Sequence, residues 1–152
     1  MKYRAEVRIK LAPQRVVKLF TDASFFPKWQ EGLKSHVMTE GAFGQTGSRS
    51  ELHYAGRKGD LRVKEEVICN ELPERFIAEY RSPGLVNKVV NAFEDAPGEQ
   101  TLWQATHSFR FRGLMALMAP FMKQAFMANT YLTMERFKNC CERHGTEEMD
   151  RP

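Results

Sequence analysis

KYRAEVRIKL, residues 2–11, alternates without a break: Tyr3, Ala5, Val7, Ile9 and Leu11 are apolar, while Lys2, Arg4, Glu6, Arg8 and Lys10 are charged. Successive side chains of a strand point to opposite faces, so this stretch predicts a strand with one buried and one wet face. Pro13 follows at once and suits the first turn of a helix, where its missing N–H has no intrahelical partner to lose. Val16, Val17, Leu19 and Phe20 then share one helical face. Asp22 or Ser24 can cap a second short helix carrying Phe25, Phe26 and Trp29, with Pro27 in its first turn and Gly32 at its end.

From there to residue 112 the chain reads as a meander of strands. The expected strands are 33–40, 48–55, 61–71, 75–81, 86–94 and 101–112, separated by Gly-, Pro- and Asp-bearing turns. In the last of them Trp103, Ala105, His107, Phe109 and Phe111 share a face. In the strand 61–71, Leu61, Val63, Glu65, Val67 and Cys69 share one, and Ile68 breaks the pattern. Residues from Leu114 to Arg143 then predict one long helix, kinked or restarted at Pro120 and ended by Gly145. Its apolar stripe includes Leu114, Leu117, Met118, Phe121, Met122, Phe126, Leu132 and Phe137. Residues 146–152 read as a flexible polar tail, leaving 1–145 as a single domain.

The predicted class is α+β: a curved seven-stranded antiparallel sheet around a long C-terminal helix, with two short helices between the first and second strands. At 152 residues the chain is long enough to bury roughly 68–70% of its unfolded surface without a metal or disulfide staple. The net charge of +4 is concentrated near the start, where cations alternate with apolar residues as on a solvated face. No aromatic-interleaved basic motif points to nucleic acid. The start MKYRAEV holds no apolar stretch of leader length, and Cys69, Cys140 and Cys141 are an odd number, which together predict a reduced cytoplasmic setting. The longest nearly apolar run, Gly113 to Met122, is too short to cross a bilayer but leaves transient membrane contact open. His36, His53, His107 and His144 show no metal-ligand spacing, and GAFGQTG (41–47) lacks the Lys-Ser/Thr of a phosphate loop. Neither metal nor cofactor is expected, and the oligomeric state stays open.

One helix about 10 Å across cannot cover a broad sheet, so side-chain size decides whether the concavity is filled. Such a geometry favours an apolar pocket at the mouth of a partly closed sheet. Strand parity turns a few polar groups inward: Tyr54, Glu65, Tyr80, Asn87, Asn91 and His107. Glu65 and His107 are the candidates for acid–base work, although their strands stand three steps apart, roughly 14 Å on a flat sheet. Trp103, Phe109, Phe111, Met118, Met122 and Phe126 are the expected apolar walls.

The chain resembles the START/polyketide-cyclase/birch-pollen-allergen-like (SRPBCC) superfamily from about Lys2 to Arg143. The resemblance rests on LAPQRVVKLFTDASFFPKW (11–29), GAFGQTGS (41–48), EEVICNELPERF (65–76), GEQTLWQATHSFRFRG (98–113) and MERFKNCCE (134–142). It implies the helix-grip fold and an internal cavity, not a particular reaction. Three readings follow. The first is binding or transport of a small hydrophobic molecule, such as a lipid, a quinone or a polyketide-like aromatic. The second is a cyclase/dehydratase-type enzyme using Glu65, His107 or a tyrosine. The third is an interaction module with a filled core, presenting an exposed Phe25, Phe26 and Trp29 surface to a protein partner.

Overall fold

The computed structural model describes residues 1–151. Seven antiparallel strands form one curved sheet: β1 (Lys2–Ile9), β2 (Leu33–Glu40), β3 (Arg49–Tyr54), β4 (Leu61–Glu71), β5 (Arg75–Ser82), β6 (Leu85–Ala96) and β7 (Gln100–Phe111). Their order across the sheet is β1-β7-β6-β5-β4-β3-β2. β1 and β2 are therefore opposite edges, and the chain between them must cross the concave face. Helix α1 (Pro13–Phe20) and a 3-10 turn (Phe26–Lys28) make that crossing, and α2 (Leu114–Met149) lies along the sheet afterwards. This is the helix-grip architecture.

The second short helix is only that single 3-10 turn. Asp22 does organise it, but through an Asx turn: its carboxylate accepts from the Ser24 N–H and hydroxyl, and its carbonyl from the N–H groups of Phe25 and Phe26. Phe25, Phe26 and Trp29 are buried, so they form no exposed partner surface. Phe25 and Trp29 pack on Phe137, a fully buried α2 residue whose ring also meets Phe20 and Trp103, and Phe26 packs on Trp29 and Phe43. Aromatic pairs at these 4.9–6.1 Å centroid separations add directional attraction to the burial.

Two further expectations are corrected. β4 carries a bulge: Val67 pairs with Ala78 but Cys69 with Ile77, so Ile68 is the extra residue. One extra residue reverses the parity beyond it, which puts Cys69 opposite outward Ile77 and turns Asn70 in beside Phe76. The other concerns Gly145, which does not end α2. It is buried within the helix, where a Cβ would stand 2.9 Å from Leu11 Cδ1. Its role is close approach, and residues 146–149, expected as tail, continue the helix with Glu148 paired to Arg15 and His144.

The interior is solid at one end and hollow at the other. Ile9, Val16, Leu52 and Phe137 pack under α1 and the C-terminal half of α2. Toward the start of α2 the helix stands off the sheet, and Leu114, Leu117, Met118, Phe121 and Leu132 face outward as exposed residues.

Candidate functional site

Strand register sets the concave face out in rows. One row reads Ser50, Glu65, Tyr80, Asn87, Phe109 from β3 to β7. The next reads Val67, Ala78, Val89, His107, Tyr3, and a third reads Asn70, Phe76, Asn91, Ala105, Ala5. Small Ala105 beside large rings leaves room above the sheet. A cavity of about 280 Å³ occupies it, closed by Phe126, Thr130 and Met134 of α2 and floored by β4 to β7 and β1.

Of the residues singled out from sequence, Tyr54, Tyr80, Asn87, Asn91, Trp103, His107, Phe109 and Phe126 line this cavity. Phe111 stacks on Phe109 and lies 6.0 Å from the Phe126 ring, at the edge of the lining. Met118 and Met122 do not line it. The phase of α2 turns Met118 to solvent and leaves Met122 half-buried a turn before Phe126, so neither forms the wall expected of it. Tyr3, Trp29, Val89, Thr130 and Met134 line the cavity as well. Tyr3 was legible, since the parity of 2–11 already turned it inward; Trp29 needed the tertiary path of the crossing segment.

The polar atoms divide into those already satisfied and those left open. Asn91 is satisfied: its Oδ1 accepts from Trp103 Nε1 at 3.0 Å, and its amide donates to the Phe76 carbonyl at 3.4 Å. Asn87 Nδ2 donates to His107 Nδ1 at 3.2 Å, which places the neutral imidazole proton on Nε2. Asn87 Oδ1 and Trp29 Nε1 are buried and have no partner among the described residues. A buried acceptor and a buried donor left without partners in the cavity lining are each costly unless something polar meets them.

His107 is stacked between Tyr3 at 5.2 Å and Phe109 at 5.9 Å, and burial pushes its pKa down to about 4. The Tyr3 hydroxyl shares a hydrogen bond of 2.8 Å with Thr130 Oγ1, tying β1 to α2 over the cavity. Glu65 lies outside the lining, behind Tyr54 and Tyr80. It accepts from Ser50 Oγ at 3.0 Å and sits 3.9 Å from His36 Nε2. Burial, then the Glu65 charge, raises both tyrosine pKa values, and burial depresses that of His36. Glu65 and His107 stand on strands three positions apart and in different rows, so they form no dyad. Among the described residues no three His, Cys, Asp or Glu gather as metal ligands.

A curved sheet gripping a long helix over a half-open cavity defines the helix-grip class, and the comparisons agree with that fold. The family model described as polyketide cyclase / dehydrase and lipid transport matches residues 1–139, and the chain belongs to that family. Its fold is similar to the Zhui aromatase/cyclase from Streptomyces sp. R1128, with a TM-score of 0.78 at 13% identity over 94% of each chain. It is also similar to Ara h 8.0201, with a TM-score of 0.74 at 13% identity, covering 93% of this chain and 97% of that one. A conserved protein from Geobacillus kaustophilus gives a TM-score of 0.73 at 15% identity, covering 97% and 96%. A search of the curated proteins gives no match.

Proposed function

We propose that this chain binds one small, largely apolar, ring-bearing molecule in the cavity between β4–β7 and α2. The observation that carries the reading is two open polar atoms, Asn87 Oδ1 and Trp29 Nε1, on residues of a cavity lining rich in aromatic side chains. A ligand that offers one donor and one acceptor would satisfy both, and its rings would stack beside Tyr3, His107, Phe109 and Phe126. Size supports a polyketide-like aromatic or a quinone head over a two-chain lipid. The cavity, at about 280 Å³, is about twice the roughly 150 Å³ that accommodates benzene.

A second reading, acid–base chemistry on a reactive chain, is favoured by the His107 imidazole in the lining and by the likeness to an aromatase/cyclase. A pKa near 4 makes His107 a hydrogen-bonding group that orients a carbonyl more readily than a base that removes a proton. The cavity itself argues against the filled-core interaction module.

Solvent extraction of freshly purified protein, beside native mass spectrometry of the intact chain, tests the binding reading. A stoichiometric ring-bearing molecule that leaves on extraction supports it. A chain whose mass is bare and whose melting temperature no quinone or aromatic polyketide raises contradicts it.

A further inference from the structure

From Leu114 to Met122, about two and a half turns, α2 is apolar on every side. Met115, Ala119, Met122 and Phe126 are partly covered by the protein, whereas Phe121 is 82% exposed, Leu114 75% and Leu117 73%. A helix that is apolar all round belongs inside something, and this one has protein on one side only. Pro120 has no N–H for the Ala116 carbonyl, which leaves these turns less tightly bound to the rest of the helix.

The unpaired charges around this face have one sign, since Asp60 and Glu31 at the same rim are held by Lys34 and Arg136. From Gly113 to Met134 there is no acidic residue, and the sole charge is Lys123. The same rim of the sheet carries Arg57 and Lys58 in the β3–β4 turn, and Arg112 just before the helix. These four cations make no ion pair among the described residues. Asp60, the acid in the same turn, is held by Lys34 at 3.0 Å. The β5–β6 turn closes the rim, with Gly84 packed so tightly that a Cβ there would stand 2.9 Å from Met115 Cγ.

We propose that this rim docks on an anionic lipid bilayer, with Leu114, Leu117 and Phe121 at the headgroup–acyl boundary and Arg57, Lys58 and Arg112 among the phosphates. An apolar helical face bordered by cations has the composition of an interfacial element. A second copy of the chain would set like charges against each other. No helix among the described residues is long and apolar enough to cross a membrane, so this one lies on the surface. Leu61 and Leu85, which line the cavity, sit on the same rim, so docking brings the cavity mouth to the membrane. That last consequence rests on the cavity reading; the docking does not.

The test is co-sedimentation with vesicles of phosphatidylcholine alone and of phosphatidylcholine mixed with phosphatidylserine. The full chain is expected to pellet with the mixed vesicles only, and less as salt rises. Replacing Leu117→Asp with Phe121→Asp is expected to weaken partitioning at least tenfold. Removing Arg57 or Lys58 is expected to cost about fivefold each, the equivalent of about 1 kcal/mol per cation at such a surface. The substituted leucine and phenylalanine are exposed and outside the cavity lining, so an unchanged far-UV circular dichroism spectrum and melting temperature report an intact fold. Failure of the wild-type chain to pellet, equal pelleting on both vesicles, or unaltered pelleting of the double variant overturns the proposal. So does a dimer, seen by sedimentation velocity, that the double variant dissociates.

Discussion

His107 carries the clearest pH signature in the molecule. Its imidazole titrates near 6.5 in an unfolded chain, and burial between Tyr3 and Phe109 holds it at about 4 in the folded one. Between those values the unfolded chain binds more protons, so the contribution is whole above pH 6.5 and is lost as pH falls toward 4. His36 is shifted in the same direction and adds to the slope. Urea unfolding across that window is expected to show His107→Gln with a flatter pH dependence, by at most about 1.4 kcal/mol per pH unit. An unchanged slope would mean the imidazole is solvated in the folded state. Phe137 makes the complementary case in the solid half. Fully buried against Phe20, Phe25, Trp29 and Trp103, it should cost about 3–5 kcal/mol on truncation to Ala, read from the same unfolding curves.

The strands were legible because β1 alternates apolar and charged residues without a break and the later strands are short alternating runs set off by Gly-, Pro- and Asp-bearing turns. What parity cannot register is an inserted residue. Ile68 looked like a local exception, yet the bulge it makes moves Cys69 out and Asn70 in, where the Asn70 amide donates to the Gly44 carbonyl at 2.7 Å. The helix end was misread for a similar reason. Glycine after an apolar run signals a stop, but at Gly145 the absent side chain serves the approach of α2 to Leu11. Gly145→Leu should therefore destabilise by about 1–3 kcal/mol through overpacking, with Leu11→Ala restoring part of the loss in the double variant. Equal stability of wild type and Gly145→Leu in urea would contradict that account. The outward face of α2 was also misassigned. Met118 and Phe121 belong to the right stripe by composition, and only the standing-off of the helix shows that they face solvent.

Taken whole, the molecule is half core and half container. The ring of Phe137 fills the space under α1, while Ala105 and Val63 leave it open under Phe126 and Thr130. Sequence could give the class of fold and the inward-facing residues, because both follow from periodicity. The cavity was expected from that class, but not its size or full lining, which depend on how α2 lies over the sheet, nor the open atoms on Asn87 and Trp29, which depend on what their neighbours already bond. Val63→Phe, which puts a ring into the lining, is expected to lower ligand affinity at least tenfold with little change in melting temperature of the free protein.

The chain has two tryptophans, Trp29 and Trp103, and both line the cavity, so its intrinsic fluorescence reports directly on an occupant. Titration with alizarin, a dihydroxyanthraquinone that offers hydroxyl donors and carbonyl acceptors and quenches indole emission, is the most direct test of the cavity as a ring-binding site. Saturable one-to-one quenching in the wild-type chain, weakened at least tenfold in Val63→Phe and lost in Phe126→Asp, is the expected result. Quenching that rises linearly without saturation, and equally in all three proteins, would contradict it.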